Sequence, residues 1–448
     1  MMPPSRRNIS LLLLILLLDL IGFSLIFPLV PDLLEFYLKG AKGHALDQWL
    51  LPITDFFRSV LPEERQSEPE LIILMGGVLA SIYSFLQFLC SPLWGKLSDS
   101  IGRRPVLLIT SSGLAISYLL WAISQSFTLF LLSRVFGGIM SGNIGVASAA
   151  MADQSSRSGR TGAMGLVGAA FGVGFIVGPV VGGSLAGIRM DSWMPESSLL
   201  HPFTACAIGS FVLSGISALL NLLFLEETLA PEIQTDKRPG NPFKSIWEGL
   251  HIGGLRRVLI VNFFYILLFS GFEFSVTFFY KLDFGFTPFQ IGMVFLYLGL
   301  IIAFGQGGLV RVLAKKVTEK KLALAGLLLL PPALVALSNS APIVWLSLLC
   351  LLPVSLGSAL LQPALSGLAS LLSPVDRQGF SLGVFRSAGA LARALGPLAG
   401  AYLYWILGIQ VAYGIFAVLQ LFTFFYALLL QDPRAQTTTD DESLKESI

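Results

Sequence analysis

The sequence predicts an all-α membrane protein of about twelve transmembrane helices, and three observations carry that expectation. Charged residues make up only 12% of the 448-residue chain and hydrophobic residues 54%, whereas soluble domains carry about a quarter charged residues. Mean hydropathy is +0.77. The apolar residues gather into long runs, and a helix needs roughly 20 such residues to cross a bilayer. The runs are continuously apolar rather than alternating, so each segment must satisfy its own backbone as a helix.

Taken in order, the runs fall near 9–36, 71–94, 105–124, 127–152, 161–187, 203–225, 257–280, 289–313, 321–338, 341–371, 380–406 and 409–430. The first follows Arg6 and Arg7, continues past Asp19 and has no small-residue cleavage site, so it reads as a retained span rather than a secretory signal. After it comes a long outer loop, 37–70, in which Leu46, Trp49, Leu50, Ile53, Phe57 and Val60 recur at helical spacing. An amphipathic helix lying on the outer leaflet is expected there. A linker over 226–256, with Pro231, Pro239, Gly240 and Pro242, divides the spans six and six. Within it Phe243, Ile246, Trp247 and Leu250 predict a short surface helix.

The expected organisation is therefore a first six-helix half over 1–225, the linker 226–256, a second half over 257–430 and a tail over 431–448. The halves echo each other: Gly178-Pro179-Val180-Val181-Gly182-Gly183 in span 5 resembles Gly396-Pro397-Leu398-Ala399-Gly400 in span 11. Such a parallel repeat predicts pseudo-two-fold symmetry about an axis along the membrane normal.

Basic residues set the orientation. Arg6, Arg7, Lys96, Arg103, Arg104, Arg157, Arg160, Lys237, Arg311, Lys316 and Arg377 share one side, and the other holds few, so both termini are expected in the cytoplasm. Cys90, Cys206 and Cys350 lie far apart within apolar runs, and the three histidines are scattered. No disulfide framework and no metal site is expected. The net charge of +2 implies no nucleic-acid partner. No G-x-x-x-x-G-K-[ST] string for a nucleotide is present, and an enzyme is not expected. An Asn-x-Ser sequon occurs only at Asn8, on the inner side, which favours a bacterial inner membrane.

Between spans 2 and 3 runs Gly95-Lys96-Leu97-Ser98-Asp99-Ser100-Ile101-Gly102-Arg103-Arg104-Pro105. This pattern resembles the signature loop of the major facilitator superfamily of secondary transporters, and the resemblance extends from Leu11 to Leu430. Gly174, Gly178 and Gly182 recur every four residues, on one face of a helix that Pro179 bends. With Gly183 they resemble the antiporter motif of the drug/proton exchangers. Leu131-Leu132-Ser133-Arg134-Val135-Phe136-Gly137-Gly138 resembles another family motif, and the first span is similar to that of tetracycline-resistance-type exporters. One departure is Glu227 in Leu225-Glu226-Glu227-Thr228, where those exporters usually have Pro.

Charges inside spans are costly, so Asp19, Arg134, Glu273 and Arg393 are the proton-coupling candidates. Asp153 is expected near Arg103 or Arg104. Asp99 is expected near the start of span 11 around Phe380, so that Gly95, Asp99, Gly102, Arg103, Arg104 and Asp153 form a conformational latch. Phe23, Asn143, Phe269 and Phe272 are candidates for lining a substrate cavity, while most of the nine rings of span 7 are expected to face lipid. The resemblance implies proton-coupled export of a lipophilic or amphipathic small organic solute such as a drug. It implies no cofactor, a monomer, and no partners beyond solute and lipid. A carrier of endogenous organic anions or lipids, and a scaffold or receptor on a transporter fold, are the alternatives.

Overall fold

The computed structural model describes residues 6–40, 44–60, 68–154, 160–193, 200–229, 241–314, 316–374 and 378–433. Among them are 12 helical spans long and apolar enough to cross a membrane. The centre of the linker and most of the tail, including Arg434, lie outside the described residues, as do Arg157, Lys237 and Arg377.

Span 1 is α1 (Arg6–Ser24), a 3-10 turn at Phe27–Leu29 and α2 (Val30–Gly40); Pro28 sits at the start of that turn. The outer loop contains α3 (Leu50–Val60). Spans 2 and 3 are α4 (Glu68–Ile101) and α5 (Arg103–Ala122), and span 4 is broken into α6 (Phe127–Met140) and α7 (Asn143–Asp153). Spans 5 and 6 are α8 (Arg160–Leu185) and α9 (Thr204–Phe224). The linker ends in α10 (Pro242–Leu250), the short surface helix expected from its apolar spacing, whose first turn is capped by Asn241 Oδ1 accepting from Phe243 N at 2.9 Å.

Span 7 is α11 (Gly253–Phe284). Span 8 is α12 (Pro288–Phe304), a π-helical turn at Gly305–Val310 and α13 (Arg311–Leu313). Spans 9 to 12 are α14 (Glu319–Ser338), α15 (Val344–Leu371), α16 (Gln378–Leu407) and α17 (Ile409–Ala427).

The chain groups into two units, Met1–Gly240 with Phe274–Leu296 and Asn241–Glu273 with Tyr297–Ile448. In the first, α1 packs on α8 and α9, and α5 on α9. A core of Leu12, Ile15, Leu16, Leu20, Val106, Leu107, Val146 and Met151 fills the space between them. In the second, α14 packs on α15 and α17. Span 3 thus lies on span 6 in one unit and span 9 on span 12 in the other, the pairing a parallel repeat requires.

One expectation fails in span 7. Tyr265, Phe272, Phe274, Phe278, Phe279 and Tyr280 are all buried, and among the nine rings only Phe264 is exposed. The cause is packing against small residues of other helices: Phe274 and Phe278 lie over Gly76 of α4, with the Phe278 ring 2.9 Å from where a Cβ on Gly76 would be.

Candidate functional site in the first unit

Asp19 lies midway along span 1 and is 3% exposed. Its Oδ2 accepts from Ser111 Oγ on α5 at 3.1 Å and from Asn143 Nδ2 on α7 at 2.5 Å. Ser217 Oγ of α9 extends the chain to Ser111 at 3.4 Å. Oδ1 has no hydrogen-bond partner among the described residues. Four spans thus converge on one carboxyl group, and no cation pairs with it among the described residues.

The break in span 4 brings Asn143 there. The run 127–152 reads as continuous in sequence, yet the helix stops after Met140 and restarts at Asn143. The carbonyls freed at a helix end need donors inside a membrane. Trp94 Nε1 of α4 donates to Ile139 O at 2.6 Å and Gln87 Nε2 donates to Ser141 O at 3.3 Å. Gly142 is required because the Trp94 ring occupies the place of its Cβ, the Trp94 Cγ lying 2.6 Å from that position. A half-helix that begins at membrane depth presents unpaired N–H groups and the positive end of its dipole, which favours an anion.

Arg134 belongs to the preceding half-helix, α6, and is 5% exposed. Its guanidinium lies 5.3 Å from the Tyr118 ring centroid, 5.1 Å from Trp121 and 5.6 Å from Phe130. Aromatic faces stabilise a buried cation through their quadrupoles. Nε donates to Ser133 Oγ at 3.4 Å, and Nη2 has no partner among the described residues. Asp19 and Arg134 therefore form no ion pair with each other among the described residues, and the groups that contact each are neutral. Phe23, one turn beyond Asp19, stacks on Tyr83 at 5.2 Å and meets Phe27 edge-on at 5.3 Å.

The glycine motif of α8 has two faces. Gly174, Gly178 and Gly182 lie against Leu20, Ser24 and Leu25 of span 1, and Ser24 Oγ donates to Gly174 O at 2.9 Å. A Cβ on Gly178 would collide with Ser24 Oγ and lie 2.8 Å from Ile21 O. Gly183 and Pro179 face the start of α12 instead: a Cβ on Gly183 would lie 2.6 Å from Pro288 O, and one on Gly292 would lie 2.5 Å from Pro179 O. In the same unit Lys281 of α11 forms an ion pair with Asp32 of α2.

The basic turn proves to be a single residue. Helix α4 runs to Ile101, α5 starts at Arg103, and Gly102 between them has φ +104°, which a residue without a Cβ adopts readily. Gly95 and Asp99 lie on the last turns of α4. Arg103 bonds Asp153 Oδ2 through Nε at 3.0 Å, Ser98 Oγ at 2.6 Å and Asp99 Oδ1 at 2.6 Å. Arg104 Nη2 reaches Leu222 O, at the end of α9, at 2.7 Å.

Sequence reasoning missed the residue that fastens this turn. Glu227 accepts from Arg103 N at 2.9 Å and from Arg104 N at 3.1 Å, and also from Thr228 N and Leu229 N, each at 2.9 Å. Gly102 has no side chain with which to cap α5, so its first N–H groups needed an acceptor from elsewhere. A carboxylate at that helix N-terminus also meets the favourable end of the dipole. The departure from Pro at this position is thus the anchor of the loop.

In the second unit Glu273 of α11 and Arg393 of α16 interact electrostatically, with Tyr265 near both. The helices cross at glycines: a Cβ on Gly396 would lie 2.6 Å from Leu267 O, and one on Gly400 would lie 2.6 Å from Gly271 O. Phe269 is half-buried against Tyr265 and Phe272, while Phe272 turns onto Tyr413, with ring centroids 5.9 Å apart, and is 2% exposed. Its burial places it in the helix packing of this unit.

The family description "Major Facilitator Superfamily" matches residues 12–397 and 309–446. The chain belongs to the major facilitator superfamily. It is 36% identical to human major facilitator superfamily domain-containing protein 10, over 97% of this chain and 95% of that one. It is 29% identical to the class H tetracycline resistance protein of Pasteurella multocida, over 89% of each chain. A crystal structure of the human organic anion transporter MFSD10 (TETRAN) covers 95% of this chain with a TM-score of 0.73 and 32% identity. A bacterial homologue of the lysosomal transporter Spinster, 14% identical with a TM-score of 0.70, shares the fold. The protein is a multi-pass membrane transporter of this superfamily and not an enzyme. Mammalian relatives at this level of identity disfavour the bacterial inner membrane suggested by the lone sequon.

Proposed function

We propose that the protein is a proton-coupled antiporter that exports an amphipathic small organic solute by alternating access, as a monomer with both termini in the cytoplasm and a proton gradient as the driving force. The observation that carries this reading is Asp19, buried where span 4 breaks and held by neutral donors alone. A charge at membrane depth is costly and marks ion or substrate pathways, and a carboxyl group without a fixed cation can give up or take a proton without orphaning one. The tetracycline resistance proteins among the relatives agree with export of drug-like solutes.

A second reading of the solute, an organic anion, has its own observation. Arg134 offers a buried guanidinium with Nη2 unpartnered among the described residues and three rings around it, which suits a flat molecule bearing a carboxylate or sulfonate. The relative described as an organic anion transporter agrees with this. Purified protein in liposomes, loaded with an imposed pH gradient and given a panel of lipophilic cations, neutral drugs and aromatic anions, tests both. Accumulation that follows the pH gradient supports antiport, and the compounds that accumulate identify the class. Transport indifferent to the gradient for every compound defeats the proposal.

A further inference from the structure

The segment around α3 leaves a surface that transport alone does not explain. Its entry is pinned: Asp47, 1% exposed, accepts from Phe127 N and Thr128 N at 2.8 Å each and so caps α6, the half-helix that carries Arg134. Thr128 Oγ1 donates to Leu46 O at 2.8 Å, and Trp49 Nε1 donates to Thr128 Oγ1 at 2.8 Å. These hydrogen bonds to one helix end hold the start of α3 in register with span 4.

From that anchor the helix shows three kinds of face. Leu50 and Thr54 are buried against the protein. Gln48, Asp55 and Ser59 are exposed and polar. Leu46 and Trp49, in the 3-10 helix and the turn that lead into α3, are exposed at 64 and 44%, and Ile53, Phe56 and Val60 of α3 itself at 38, 62 and 50%; at about 100° per residue these last three fall within an arc of roughly 60°. Isolated exposed apolar residues are ordinary, but three on one face of a short helix, with two more exposed at its entry, mark an interaction surface.

We infer that this stripe lies in the bilayer, at the boundary of headgroups and acyl chains on the side opposite the Gly102 turn, so that α3 is a lipid-seated strap fastened to α6. The occupant follows from continuity. Thr128, to which Trp49 is bonded, lies one helical turn from Leu132, which is 54% exposed on the membrane-facing surface of span 4. Leu119 and Ile123 of α5 are exposed at the same end of their helix. The stripe thus begins where the lipid-covered flank of the spans ends. Buried, apolar and polar faces around one short helix give it contact with protein, lipid and water at once, the arrangement of an interfacial amphipathic helix. A tryptophan whose N–H is bonded at the membrane rim is the usual interfacial anchor.

The test uses the full chain with Cys90, Cys206 and Cys350 replaced by alanine, checked for unchanged monodispersity, and reconstituted in phosphatidylcholine vesicles. Nitroxides are attached one at a time at Ile53, Phe56, Val60, Asp55 and Ser59, and collision with oxygen is compared with collision with a water-soluble nickel chelate. The oxygen-to-nickel ratio should be at least roughly threefold higher at Ile53, Phe56 and Val60 than at Asp55 and Ser59, as for a half-immersed helix. Equal ratios mean a water-exposed helix and overturn the inference. Low collision with both reagents along the stripe means a protein partner, from this chain or a second copy, and overturns it as well. In a second variant Ile53→Asp with Phe56→Asp leaves the Asp47 cap intact, and the ratio at Val60 should fall to that at Ser59. An unchanged ratio there shows that the apolar stripe does not seat the helix.

Discussion

The two units solve the problem of a buried acid differently. In the first, Asp19 is held by Ser111 and Asn143 while Arg134 of the same unit is enclosed by rings. In the second, Glu273 and Arg393 feel each other's charge directly. Removing a proton from an acid already matched to a cation restores neutrality, whereas removing one from Asp19 leaves an anion supported by dipoles alone. The two units therefore differ in the chemistry around their acids while sharing a packing pattern, span 3 on span 6 in one and span 9 on span 12 in the other. The teaching is that a charge found inside a span is assigned a role by its neighbours, since all four charges look alike in sequence.

The largest expected effect separates the two acids. Asp19→Asn keeps a side chain of the same size that can still bond Ser111, and should abolish accumulation driven by a pH gradient while solute binding and downhill exchange persist. Glu273→Gln removes a charge that interacts with Arg393 on a helix packed closely against α16. It should therefore lower thermal stability first and slow transport as a consequence, with coupling retained in the protein that remains folded. Vesicle uptake with and without the gradient, beside melting curves of both variants, decides. If Asp19→Asn still concentrates solute, the assignment of proton transfer to the first unit is wrong.

The arginines extend the comparison. Arg134 is surrounded by ring faces that suit a planar guanidinium, and a lysine ammonium is a different, strongly hydrated ion. Arg134→Lys should weaken binding of aromatic anions about tenfold, the equivalent of roughly 1.4 kcal/mol. Arg393→Lys keeps a charge for Glu273 and should change that affinity little. Equal losses in a binding titration would remove the distinction between an open cation and a paired one.

The shared feature of the units, close helix crossing at glycine, should respond alike. Gly178→Ala in the first and Gly396→Ala in the second each place a methyl group on a neighbouring helix, against Ile21 O at 2.8 Å beyond Ser24 and against Leu267 O at 2.6 Å. Overpacking of this kind costs about 1–3 kcal/mol. Melting temperatures of the two variants should fall by similar amounts. A change at only one site would show that the repeat is not mechanical.

Much of this was legible in the sequence. Twelve spans follow from run length and composition, because lipid leaves a helix no alternative, and the spacing of glycines at 174, 178 and 182 named the face that meets span 1. The break at Ser141 and Gly142 was hidden inside a run of span length: Ser141, Gly142 and Asn143 are turn formers, yet the apolar residues on both sides of them read as one continuous span. What interrupts the helix is Trp94 and Gln87 arriving from another element. The burial of span 7 escaped for the same reason: nothing in a row of phenylalanines says that Gly76 of a distant helix has made room for two of them. The stripe of α3 was readable from periodicity, except that Phe56 faces outward where Phe57, half-buried, was expected.

Glu227 gives the smallest effect and the finest test of asymmetry, because the basic turn after span 2 is complete only in the first unit. After span 8 the sequence carries only a weaker echo, Gly307-Gly308-Leu309-Val310-Arg311, which lacks the acid and the Gly-Arg-Arg; its first four residues lie in a π-helical turn and Arg311 begins α13. Glu227→Gln can still accept from the N–H groups of Arg103 and Arg104 but loses the negative charge at the start of α5, a loss typically worth about 0.3–1 kcal/mol. The turn should loosen while the spans around it stay in place. Amide exchange at residues 103 and 104 should accelerate a few-fold, roughly as that free energy predicts, with melting temperature nearly constant. Arg104, tied to Leu222 O at the end of α9, should remain bound. If the turn serves only to connect two spans, faster exchange there will leave turnover untouched. If it acts as a conformational latch, turnover will fall while solute affinity holds, and no equivalent change will follow from Arg311→Gln in the second unit.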